Sequence, residues 1–167
     1  GLCKAAIAQG LFRDEDTSLT IIDQDIIKTR LELLCDLFPA SALHGMAIKA
    51  NPLVKLLRFS REVSKQVGVE AASMGEVHLA LAAGFEPSRI IYDSPVKTAT
   101  ELAHAISLGV HINVDNLDEL ERIRKTGAGS GTFGLRINPQ VGAGTIAESS
   151  VAGIYSKFGI PLGLRRD

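Results

Sequence analysis

Leu43-His44-Gly45-Met46-Ala47-Ile48-Lys49-Ala50-Asn51-Pro52 is the stretch on which the fold turns. The run 43–48 reads as a short buried strand, Lys49 closes it, and Asn51-Pro52 stops it and opens a helix. A lysine so placed has its ammonium at the carboxyl end of a buried strand, where α/β proteins gather ligands and chemistry. Burial favours the neutral, nucleophilic form of a lysine amine, as Schiff-base chemistry requires. The competing reading is a lysine whose stem lines the strand end while its ammonium reaches water.

Outward from this stretch, short β-type runs alternate with amphipathic helical runs. Residues 19–22 read as a strand, and Asp23 caps a helix to about Phe38 with Ile26, Ile27, Leu31, Leu34 and Leu37 on its apolar side. Leu53, Leu56, Leu57 and Val63 mark the helix after Pro52. Residues 67–72 are strand-like, and the helix 74–83 stops at Gly84. Residues 89–92, 110–114 and 133–137 are further strands. Between them lie a helix over 98–108, with Leu102, Ala103 and Ile106 on one face, and another marked by Leu117, Leu120 and Ile123.

Three helix starts carry capping boxes, at Ser73/Glu76, Thr98/Glu101 and Asn116/Glu119. They place the preceding loops at strand carboxyl ends. A strand–helix unit of roughly 20–25 residues, repeated, predicts a parallel α/β sheet. Two closures fit: an open doubly wound sheet, or part of a (β/α)8 barrel, which needs about 250 residues. Six strands and five helices fall short of the barrel, and a chain starting at Gly1 rather than Met is expected to be a processed product or a fragment.

Composition excludes several classes. A net charge of −1 with interspersed signs gives no basic stripe for nucleic acid. No apolar run reaches membrane-spanning length. His44, His78, His104 and His111 lack metal-ligand spacing, so no metal site is expected. Cys3 and Cys35 are unclustered, which suggests a reducing compartment, and Cys35 reads as a small core residue. Gly129-Ser130-Gly131-Thr132-Phe133-Gly134 matches G-x-G-x-x-G but follows a helix and opens a strand, the reverse of a dinucleotide site. Residues 140–153, with Gly142-Ala143-Gly144-Thr145 near their start, read as a mobile loop, with a ligand-covering loop as the alternative. No Gly-x-Ser-x-Gly elbow, paired Cys/His nucleophile or Walker A sequence is present.

The polar residues at predicted strand ends form a set: Lys49, Glu70 with Ser73, Asp93 with Ser94, Asp115, and Arg136 with Asn138. Glu70 and Arg136 sit within or at the end of apolar strands, where a charge needs a partner or a ligand. Either they pair with each other, or they share an anionic or zwitterionic ligand.

The segment His44-Gly45-Met46-Ala47-Ile48-Lys49-Ala50-Asn51-Pro52 resembles the pyridoxal-phosphate lysine motif of the diaminopimelate/ornithine/arginine decarboxylase family, the fold-type-III enzymes that share a barrel with alanine racemase. The likeness continues in register through Val69-Glu70-Ala71-Ala72-Ser73-Met74-Gly75-Glu76, Arg89-Ile90-Ile91-Tyr92, Lys97-Thr98, Asn113-Val114-Asp115, Leu135-Arg136-Ile137-Asn138-Pro139 and Ser156-Lys157-Phe158-Gly159-Ile160, covering about residues 19–162. It implies that Lys49 forms the internal aldimine with pyridoxal 5'-phosphate and assists proton transfer after carbon dioxide leaves. It also implies that Arg136 lines the cofactor pocket, and that Glu70 and Ser73, in the second motif, are cofactor-binding. Glu70 stands where the family usually has aspartate. Leu53-Val54-Lys55-Leu56 replaces the Tyr-Gly-His-Gly of alanine racemases, which favours a decarboxylase.

The expected fold is therefore an incomplete (β/α)8 TIM-like barrel of parallel strands alternating with helices, with 1–167 a partial cofactor-binding domain. The family's ring-stacking histidine, phosphate loop and C-terminal β-domain are absent from these residues, so the isolated piece is expected to have little activity. The resemblance implies an amino-acid substrate, most closely diaminopimelate, a homodimer in the full-length form, and a cytoplasmic or organellar location. The alternatives are a truncated non-catalytic homologue that binds a partner, and a stand-alone α/β binding domain.

Overall fold

The computed structural model describes residues 1–127, 129–141, 152, 153 and 156–164. Gly142-Ala143-Gly144-Thr145, in the expected loop, lies outside the described residues. A short helix α1 (Leu2–Ala8) precedes α2 (Gln24–Leu37), whose cap Asp23 accepts bonds from the amides of Asp25 and Ile26. The repeating units follow: β1 (His44–Ala47), a 3-10 turn (Ile48–Ala50), α3 (Val54–Val63), β2 (Val67–Ala71), α4 (Met74–Ala82), β3 (Ile90–Asp93), α5 (Ala99–Leu108), β4 (His111–Val114), α6 (Leu117–Thr126) and β5 (Phe133–Leu135). Two short strands, β6 (Ile137–Asn138) and β7 (Ile160–Pro161), close the list.

The strand order decides between the two closures. β1 to β5 lie side by side in sequence order, all parallel. A doubly wound sheet reverses direction at a switch point. An unbroken order is the order of a (β/α) barrel, and the described residues form an open arc of one. The arc continues past β5 through a seam at Arg136. Its amide donates to Val114 O at 2.8 Å on one side, and its carbonyl accepts from Ile160 N at 2.8 Å on the other. β6 and β7 pair in parallel beyond it. The single strand expected over 133–137 is thus two strands in two ladders, joined by one residue.

Alternation along the strands separates two faces. Val67, Val69, Ala71, Ile90, Tyr92, Ile112 and Val114 are buried on the outer face, against Leu57, Val77, Ala80, Leu102, Ala105, Ile106 and Ile123 from the helices. Fully burying one aliphatic side chain contributes about 1.5–3 kcal/mol, so this layer is the main source of stability. The register places Gly45, Ala47, Gly68, Glu70, Ile91, Asp93, His111, Asn113 and Gly134 on the inner face.

Several expectations are corrected. Residues 19–22 form no strand, and Leu19 and Ile21 are exposed. Ala105 rather than Ala103 faces the core from α5. Cys35 is only half-buried. Ile26 and Leu37 of α2, and Leu117 and Leu120 of α6, are exposed; α6 buries Ile123 as expected, and Glu119 in place of the two leucines.

Glu119 is inside because Lys97 is. Both side chains are 0% exposed, and Lys97 Nζ donates to Glu119 Oε1 at 2.7 Å, to Ser94 O at 2.8 Å and to Asn113 O at 2.7 Å. The other oxygen of Glu119 accepts from the Asp115 amide. The predicted box at Asn116 is therefore half a box: Asn116 accepts from Glu119 N, while the glutamate turns inward. Thr98 and Glu101 make the reciprocal box in full.

Glu119→Gln or Lys97→Met is expected to lower the unfolding free energy by about 3–5 kcal/mol, because each leaves one buried charge uncompensated. The double replacement Lys97→Met/Glu119→Leu should cost much less than the two singles together; urea denaturation of the four proteins measures this. Burial pushes the Tyr92 phenol up to about 12, with Glu101 and Glu119 adding in the same direction. Its neutral form is favoured in the fold, so its contribution to stability is complete below about pH 10 and is lost as pH rises toward 12. Phenolate absorbance of the folded protein should show one of the two tyrosines ionising only near that upper value.

Candidate functional site

The inner face has two charged clusters, both at strand carboxyl ends. The first joins β1 and β2. Lys49 lies in the 3-10 turn directly after β1, and its Nζ stands 3.7 Å from Glu70 Oε1. The Lys49 side chain is 63% exposed, so the burial expected from its neighbours in sequence does not extend to the amine. The reason is geometric. Ile48 points into the core and is fully buried, and the next residue along a turning chain points out of it. An exposed pair of this kind contributes about 0–1 kcal/mol, which leaves the amine free to exchange its partner.

The second cluster joins β3, β4 and the β5–β6 seam. Arg136 Nη1 is 3.3 Å from Asp93 Oδ1 and 3.8 Å from Asp115 Oδ1. The Glu70–Arg136 ion pair offered by the sequence does not form; each charge has found an opposite one on a neighbouring strand instead. The Arg136 guanidinium also lies over the Phe158 ring, 4.3 Å from its centroid. Asp115 Oδ1 accepts from Gly159 N at 3.0 Å, which ties the 156–160 segment to the same corner.

Ser73 serves as the cap of α4, its Oγ accepting from Glu76 N, while Glu76 reaches back to the Ala72 amide at 2.7 Å. It lies three residues after Glu70, at the same end of the sheet. Asn138 is buried, with its side chain bonded to Gly153 O and Gln140 N. His111 bridges Thr132 and Asn113 on the inner face.

Sequence reasoning missed the Lys97–Glu119 pair and the docking of Gly159. A lysine immediately before a capping box and a glutamate inside another both look like surface residues. Their only signal was that each follows an apolar strand by a few positions.

Residues 24–166 match the family described as pyridoxal-dependent decarboxylase, pyridoxal binding domain. The chain belongs to this family. It is 33% identical over 162 residues to the diaminopimelate decarboxylase of Methanothermobacter thermautotrophicus, covering 95% of this chain and 37% of that protein. With the Pseudomonas aeruginosa diaminopimelate decarboxylase the identity is 34% over 133 residues, 74% of this chain and 32% of the relative. The crystal structure of Helicobacter pylori diaminopimelate decarboxylase complexed with L-lysine superposes with a TM-score of 0.80 at 28% identity, over 92% of this chain and 40% of that one. The arginine decarboxylase of Paramecium bursaria Chlorella virus shares the fold, at a TM-score of 0.65 and 23% identity. The chain spans two-fifths or less of the length of these relatives.

Pyridoxal phosphate is the cofactor of a pyridoxal-dependent decarboxylase, and the accessible Lys49 amine fits its aldehyde end. Next to the Lys49 turn, the small Ala47 of β1 pairs with Glu70 of β2 across the ladder, so the side chain that meets the amine at this end of the two strands is the Glu70 carboxylate. Further along the face the glycines make room for neighbouring side chains: a Cβ added at Gly45 would stand 3.0 Å from Ile91 Cδ1, one at Gly68 2.9 Å from Leu43 Cδ1, and one at Gly134 2.5 Å from Asn113 Oδ1.

Gly159→Ala tests how the second cluster is held. Gly159 has φ +76°, and an added Cβ would lie 2.9 Å from Asn138 N, 3.0 Å from Ile137 C and 3.1 Å from Arg136 O, all backbone. The substitution should cost about 1–3 kcal/mol locally. Hydrogen exchange at the Ile160 amide should accelerate, while Gly75→Ala, whose added Cβ has only Ser73 Oγ within 4 Å, at 3.7 Å, should leave that amide unchanged.

Proposed function

We propose that this chain is the cofactor-anchoring part of an amino-acid decarboxylase of the diaminopimelate type, with Lys49 as its catalytic residue. The observation that carries this reading is the position of Lys49: an accessible amine just past the first strand's carboxyl end, beside Glu70, in a chain of the pyridoxal-dependent decarboxylase family. Bound pyridoxal phosphate supplies an electron sink for the pair released when the carbon–carboxylate bond breaks.

The remaining work falls to the chain. Lys49 Nζ would hold the cofactor's aldehyde and, when free of it, would be placed to carry a proton to the substrate α-carbon. Glu70 holds the lysine ammonium on the inner face between these tasks. Arg136, fixed by Asp93, Asp115 and Phe158, lines the cofactor pocket with a positive charge that cannot wander. Ser73 sits at the neighbouring helix start, where amide groups favour anions.

Diaminopimelate is favoured among substrates because both curated relatives described above carry that name. A homodimer is proposed for the full-length protein. No helix among the described residues is long and apolar enough to cross a membrane. The two free cysteines fit a reducing compartment such as the cytoplasm.

Borohydride reduction in the presence of pyridoxal phosphate, followed by peptide mapping, should place the reduced label on Lys49. Label spread evenly over the surface lysines would sink the proposal. In the full-length protein, Lys49→Ala should reduce decarboxylation by roughly 10²–10⁴-fold from lost proton transfer alone. Glu70→Gln should have the smaller effect of the two.

A further inference from the structure

On the outer surface, away from the strand carboxyl ends, α4 and α5 bring two histidines together. His78 Nε2 and His104 Nε2 are 3.3 Å apart, with ring centroids 5.5 Å apart and planes inclined at 64°. Neither residue belongs to the site described above, and both are exposed.

The separation is informative. Two imidazole nitrogens on one tetrahedral zinc, each at about 2.0–2.1 Å from the metal, stand about 3.3–3.4 Å from each other. The two rings already hold their nitrogens at that spacing. Their backbones are fixed as well: Val77 and Ala80 flank His78 and are fully buried, and Ala105 next to His104 is fully buried too. Each helix start is pinned by its cap, Ser73 for α4 and Thr98 for α5. Little ordering of the backbone is left for a ligand to impose.

We propose that His78 and His104 form a two-histidine site for a borderline transition-metal ion such as Zn²⁺, Ni²⁺ or Cu²⁺, with water completing the coordination. No third His, Cys, Asp or Glu joins them among the described residues. The site is therefore open and exchangeable, unlike a closed structural zinc centre. Imidazole ligands select copper, nickel and zinc over magnesium and calcium, which take oxygen. The order of affinity follows Cu²⁺ above Ni²⁺ above Co²⁺.

The test is calorimetric titration of the metal-free protein with Ni²⁺, and separately with Mg²⁺, for the parent, His78→Gln and His104→Gln. Both positions are exposed, so circular dichroism should confirm that the variants fold like the parent. One nickel ion per chain is expected to bind the parent, Mg²⁺ is not, and each single variant should lose roughly tenfold or more in affinity, because the second imidazole acts intramolecularly. His111→Gln serves as the control and should bind as the parent does. No binding by the parent, or a smaller loss in either variant, shows that the two rings share only a hydrogen bond and overturns the proposal.

Discussion

The carboxyl ends of the strands are held in place by one ammonium ion. The Lys97 side chain is 0% exposed, and its three bonds join the end of β3, the body of β4 and the first turn of α6. The partner glutamate passes the constraint on to the Asp115 amide. Asp115 in turn orients Arg136 and fastens Gly159. A buried charge that satisfies backbone carbonyls and a carboxylate is costly to misplace. The geometry of the second cluster is thus inherited from a fully buried ion pair behind it.

The two clusters differ in kind. Lys49 and Glu70 form a loose pair with one member largely in water, whereas Arg136 is gripped by two carboxylates and an aromatic ring. A group that must change partners needs the first environment, and a group that must hold a fixed charge needs the second.

Most of the fold could be read from the sequence, because repeated capping signals and buried runs are local properties. The Thr98 and Ser73 caps, the left-handed Gly109 and the strands at 44–47, 67–71, 90–93 and 111–114 all follow from neighbours within one turn. What failed was non-local. Leu19-Thr20-Ile21-Ile22 has strand composition but finds no ladder. Leu117 and Leu120 keep helical spacing, yet the helix turns its Glu119–Ile123 face inward, where the buried Lys97 ammonium, 22 residues back in sequence, needs a carboxylate partner. The site showed the same division. Lys49 was recognisable by its place after a strand, while the partners of Glu70 and Arg136 depended on which strands became neighbours.

That neighbour relation has a kinetic side. Each of the strands β2 to β5 pairs with the one about twenty residues behind it, and the sheet of these five strands contains no distant pairing. Every loop that must close is short, so each new unit can dock on the last as soon as it is made. A chain laid out in this way is suited to folding from its amino end while the ribosome is still adding residues. The buried lysine waits for its partners: Asn113 and Glu119 are made after Lys97, so this lock closes only once β4 and the start of α6 have followed it.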